Sequence, residues 1–180
     1  MQKLIKEISA RRIIPLVLFD IVWFLAVWGR DTYVLINSVM VLLLFMLNRS
    51  RLLAQAKPLA LFIAVGLVSE LSIVLLGVIS FTQTSLFLPF WLVVLWFGFA
   101  ATAFTSMDWL AGRYGLAGLL GLVFGPITYL AGVGFGAAFI QVNELVMIST
   151  YAVTWSVLMM LLARLVTFYR TQPLTEQHYV

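Results

Sequence analysis

The chain has 180 residues, 63% of them hydrophobic and only 10% charged, with a mean hydropathy of +1.09. Soluble domains carry about 25% charged residues, so this composition is hard to reconcile with a water-facing surface and points to an all-α transmembrane bundle. The net charge of +4 does not point to nucleic acid, because no basic face interleaved with aromatics accompanies it. The absence of cysteine excludes disulfides, thiolate catalysis and Cys-based metal sites.

Lys3, Lys6, Arg11 and Arg12 precede a first apolar run, residues 13–28. That start mimics a signal peptide, but the run ends in bulky Trp28 and charged Arg30 and Asp31, so an uncleaved first helix is expected. The second run, residues 32–47, leads into a basic loop at 48–57. Pro58 opens a third helix to about residue 79, at a position where its missing N–H costs nothing. An uncharged stretch at 80–88 follows, and Pro89 opens a fourth helix to about 107. The segment 108–115 carries Arg113, and a fifth helix is expected from about 116 to 140. After a short turn at 141–144, a sixth helix runs over about 145–166. Residues 1–170 form one membrane domain, without a linker or clear internal repeat, and 171–180 form a polar cytoplasmic tail holding the lone His178.

Charge orients these about six helices. Ten of the eleven Lys and Arg residues fall on the side that holds both termini, and only Arg30, beside Asp31, falls on the other. Positive charge is retained in cytoplasmic loops, so both ends are expected in the cytoplasm. Merging the first two runs into a hairpin that does not cross is the main competitor.

Two carboxylates interrupt apolar helices: Asp20 at the middle of the first run and Glu70 just past the middle of the third. An acid at that depth is cheapest with its proton on, since an ionised group near the bilayer midplane costs a few kcal/mol or more unless paired or wetted. No Lys or Arg lies at matching depth. Asp20, Glu70, Asn37 and Tyr129 are therefore the candidate polar site, either as a proton or cation relay or ligand pocket, or as acids bonded to neighbouring helices. Two carboxylates with neither His nor Cys beside them suit no metal, and no cofactor is implied.

The fifth helix is rich in glycine. Gly121 with Gly125 and Gly132 with Gly136 give GxxxG spacings for close helix packing, and Pro126 should kink the helix near its centre. A broken helix lining a transport site is the sharper alternative, though transporters show paired interruptions in two halves. Trp28, Tyr33, Trp91 and Trp109 sit near helix ends, where an interfacial belt is expected. Trp23, Trp96 and Trp155 lie deeper, in the core or against a pocket.

Four stretches, "LFDIVWFLAVWG" at 18–29, "SELSIVLLGVISF" at 69–81, "LPFWLVVLWFGFAATAFTSMDWL" at 88–110 and "FGPITYLAGVGFGAA" at 124–138, resemble the bacterial domain of unknown function 2878 family. The resemblance implies a small multi-pass inner-membrane protein without a settled activity. Glu70 matches the family's acid in the third helix, and Gly125, Pro126, Tyr129 and Gly132 match its Gly-Pro-x-x-Tyr-x-x-Gly pattern. Where members tend to have an Asn-His pair this chain has Phe104 and Thr105, which weakens an enzymatic reading. The family's genes often neighbour those of fatty-acid-modifying enzymes, which implies a lipid or envelope role.

The leading expectation is thus an inner-membrane protein serving lipid or envelope physiology. A small proton-coupled transporter using the intramembrane acids, and a membrane-embedded lipid-modifying enzyme, are the alternatives. Membrane lipids are the expected partners, and the GxxxG face leaves a homo-oligomer or a membrane-protein partner open.

Overall fold

The computed structural model describes residues 2–82 and 88–171, with side chains described over 13–82 and 88–169. The tail from 172 onward, including His178, and most of the stretch 80–88 lie outside the described residues.

Helix α1 (Gln2–Gly29) runs into a 3-10 turn at Arg30–Tyr33, and α2 (Val34–Leu47) follows. By hydropathy Ile13–Leu47 is one unbroken apolar segment. It is nonetheless a hairpin, because Arg30 takes a positive φ of 50° and reverses the chain. Phe19 of α1 and Val41 of α2 both lie against Gly98, which puts the two legs side by side at equal depth. The short α3 (Arg49–Ala54) links α2 to α4 (Ala56–Leu75). Pro58 sits in the first turn of α4, where no helical partner awaits an N–H. Pro89 precedes α5 (Phe90–Ser106) in extended backbone, and α6 (Tyr114–Gly134) and α7 (Glu144–Thr171) complete the bundle.

Two helices stop earlier than hydropathy predicts. The third was expected to reach residue 79 but ends at Leu75, and the fifth was expected to reach 140 but ends at Gly134. Both ends are Schellman caps. Gly77 and Gly136 have φ near +70°, at 68° and 70°. Gly77 N donates to Val74 O and Val78 N to Ile73 O, and the same pair of bonds recurs from Gly136 N to Val133 O and Ala137 N to Gly132 O. Beyond each cap a short strand forms, β1 (Ile79–Phe81) and β2 (Ala138–Ile140), and the two pair antiparallel with Ser80 opposite Phe139. A helix, capping glycine, strand and second helix therefore occur twice, as α4–β1–α5 and α6–β2–α7.

Hydrogen bonds define the bundle's two ends. At one, the ribbon sits beside the α1–α2 turn, where Arg30 Nη2 donates to Phe135 O at 2.7 Å. At the other, Arg51 Nη1 donates to Thr105 O at 2.9 Å and lies 3.7 Å from Asp108 Oδ2, while Gly112 N donates to Thr167 Oγ1. Four segments are long and apolar enough to cross a membrane: Ile13–Leu47, Ala56–Leu75, Tyr114–Gly134 and Glu144–Tyr169. The 17 residues of α5 span about 25 Å, close to a hydrocarbon core of about 30 Å.

Packing joins these helices through small residues and rings. Trp96 of α5 rests on Gly66 of α4, where a Cβ would meet its ring at 2.2 Å. Phe62 lies in a ring cluster with Trp96, Phe99 and Phe104. The closest approach is between α6 and α7, where a Cβ on Gly121 would stand 2.1 Å from the Trp155 carbonyl oxygen and one on Gly125 2.5 Å from Trp155 Cβ.

Candidate functional site

Glu70 belongs to the buried stripe of α4 that also carries Phe62, Ile63, Gly66 and Ile73, so its helical spacing turns it inward. It is 2% exposed. Tyr129 of α6 donates a hydrogen bond to its Oε1, and Tyr151 of α7 donates to Oε2 at 3.4 Å. The two phenol rings stack, with centroids 3.5 Å apart and planes 18° apart, which brings both hydroxyls to one carboxyl group. Each carboxyl oxygen thus receives a donor without any cation, and three helices are tied at one point. Left without partners, such a buried group would be costly in a low-dielectric interior.

The other expected members lie elsewhere. Asp20 is exposed on α1 and joins neither tyrosine. Asn37 is fully buried on α2, in a stripe with Val41 and Leu44, and neither its Nδ2 nor its Oδ1 has a partner among the described residues. Of the four candidate residues, Glu70 and Tyr129 meet and Asp20 and Asn37 stand apart. Tyr151 was missed, although its i, i+4 spacing from Met147 and Trp155 places all three on one face of α7. Gly132 and Gly136 do not serve helix packing. A Cβ on Gly132 would meet nothing within 4 Å, and Gly136 is the capping residue whose Cβ would approach the Arg30 guanidinium. Helix α6 continues as one helix through Pro126. Among the described residues no three of His, Cys, Asp and Glu come together in a way that could hold a metal.

Beside the Glu70 cluster lies a cavity of about 360 Å³, walled by α1 and α5 on one side and α6 and α7 on the other. Five of the six tryptophans line it: Trp23, Trp91, Trp96, Trp109 and Trp155. Trp91, expected in an interfacial belt, is instead 2% exposed, and its N–H is buried without a partner among the described residues. Trp96 and Trp155 stack at 5.4 Å. Only Thr128 and Tyr129 bring hydroxyls to the walls, and both are engaged, Thr128 with Phe124 O and Tyr129 with Glu70. The cavity therefore offers apolar surface and ring faces, and its wall residues Trp91 and Trp155 each have an indole N–H that finds no partner among the described residues.

Ala137, Ala138 and Trp91 are buried at the ribbon end and Leu110 at the opposite end, where its neighbour in the lining, Trp109, is 37% exposed. On the flank, Phe124 of α6 is 59% exposed, while Leu16 and Trp23 of α1 are partly exposed. Asp20 is four residues from Leu16 and three from Trp23, so it lies on the same side of α1 as these two lining residues. No curated protein and no solved structure matches the chain. Residues 12–161 match the family described as "Protein of unknown function (DUF2878)". That match takes in both walls of the cavity and the whole Glu70 cluster, and the chain belongs to this family.

Proposed function

We propose that the protein crosses the bacterial inner membrane six times, with both termini in the cytoplasm, and holds the tail of a lipid-like molecule in the tryptophan-lined cavity, in support of lipid or envelope physiology. The observation that carries this reading is an apolar cavity whose lining is exposed on the flank between α1 and α6, at Phe124, Leu16 and Trp23. A molecule already in the bilayer would meet the cavity from that flank. Apolar walls with their hydroxyls engaged suit a hydrocarbon chain or an isoprenoid better than a polar solute. Orientation is supported by charge, since Arg49, Arg51 and Arg113 sit at the end opposite Arg30. A relay between Asp20 and Glu70 gains no support, because Glu70 is enclosed by two tyrosines and Asp20 lies outside the bundle core.

The test is mass spectrometry of apolar compounds extracted after purification from native membranes, for the wild type and for Gly132→Leu. Gly132 lines the cavity and a Cβ there would meet nothing within 4 Å, so a leucine at this position is the substitution chosen to fill it. The wild type should retain a defined apolar compound that Gly132→Leu loses. Equal retention, or only bulk phospholipid in both, would overturn the reading.

A further inference from the structure

A second cavity of about 360 Å³ lies on another flank of the bundle, among α2, α3, α4 and α5. Its floor is buried and apolar, made by Leu52, Leu59 and Ile63, and its rim includes the exposed Met46, Leu53 and Phe97. From Ala56 to Ile63 it follows α4 for about 10 Å towards the middle of the bundle. The one charged lining residue is Arg49, at the end of the groove formed by α3. Arg49 is exposed and, among the described residues, makes no hydrogen bond or ion pair, in contrast to Arg51, which is engaged with Thr105 O and Asp108. Lys57 is exposed beside the groove.

We propose that this groove binds an anionic phospholipid of the leaflet at the basic end, with one acyl chain along Leu59 and Ile63 and the phosphate paired with Arg49. The proposal rests on the chain spanning the membrane but not on what fills the tryptophan-lined cavity. An apolar trough ending in an unengaged guanidinium matches a hydrocarbon tail ending in a phosphate, and basic pockets between helices at the cytoplasmic side recognise such headgroups. Charge argues against a second copy of the chain as occupant, because this end would bring Arg49, Lys57 and Arg113 against their own kind.

Native mass spectrometry of the full-length protein, titrated with dioleoyl phosphatidylglycerol or dioleoyl phosphatidylcholine, tests this. The wild type should hold the anionic lipid roughly fivefold more strongly, the contribution expected of one basic side chain. Arg49→Gln should remove that preference. Ala60→Phe, which fills the groove while keeping every charge, should weaken both lipids. Arg113→Gln, at the same end but outside the groove, and Gly132→Leu, in the other cavity, should leave the preference intact. Helical circular dichroism and a single elution peak verify that each variant folds. Equal retention of the two lipids overturns the proposal. So does a loss in Arg113→Gln as large as in Arg49→Gln, which would mark diffuse attraction, or a dimer mass that persists in place of lipid adducts.

Discussion

Replacing Gly121 by alanine adds one methyl group where the backbones of α6 and α7 approach most closely. That carbon would stand 2.1 Å from the Trp155 carbonyl oxygen and 2.5 Å from its carbon, and both are backbone atoms. No rotamer change can clear them, so α6 and α7 must part by about 1 Å to regain ordinary contact near 3.4 Å. Forced separation of packed elements costs about 1–3 kcal/mol, and in a bilayer close van der Waals contact is what holds helices together. At Gly118 a Cβ would meet Met160 Cγ and Ser156 Oγ at 3.2 Å, atoms at flexible ends, so Gly118→Ala should cost less. Gly132→Ala meets open space and should be neutral or stabilising by up to about 1 kcal/mol, through helix propensity. Thermal unfolding in one mild detergent, followed by circular dichroism, gives the ranking. If Gly121→Ala melts at the same temperature as Gly132→Ala, the α6–α7 seam is not what stabilises this half of the bundle.

Three further substitutions probe other parts of the account. Glu70→Leu should be strongly destabilising, because it leaves two phenol hydroxyls buried without an acceptor at about 1–3 kcal/mol each; Glu70→Gln keeps one carbonyl acceptor and should fall between it and the wild type by the same melting assay. Arg30→Ala and Arg30→Gly both lose the bond to Phe135 O, but glycine relieves the positive φ of 50°. The glycine variant should be more stable than alanine by about 1 kcal/mol, and equal stabilities would show that the turn carries no backbone strain. Asp20→Leu should change folding stability in detergent by less than about 0.5 kcal/mol, since the residue is exposed and makes no hydrogen bond or ion pair with the described residues. A large loss there would mean that the acid holds the fold together.

Much of this architecture was readable from the chain, because six apolar runs separated by turns and basic loops leave few alternatives. The errors have particular causes. Hydropathy cannot see a Schellman cap inside "VLLGVIS" or "GVGFGAAFI", where every neighbour of the capping glycine is apolar, so two helices were drawn through what are really turns and strands. Glu70 and Tyr129 were visible as polar side chains in apolar helices. Asp20 was equally visible, but its partner could not be judged without knowing which face of α1 meets α5. In the structure that face carries Val22 and Ala26, about a third of a turn or more from Asp20. The cavity had only a faint signal, the deep tryptophans, because a void between helices is a property of their spacing.

The lateral cavity can be tested most directly by tryptophan fluorescence in bilayers whose acyl chains carry bromine. Trp23, Trp91, Trp96, Trp109 and Trp155 line the cavity, whereas the exposed Trp28 does not and supplies a constant background. If chains enter between α1 and α6, the brominated bilayer should quench the wild type clearly more than Gly132→Leu. Identical quenching in the two proteins would mean that lipid stays outside and that the cavity is not a site for it.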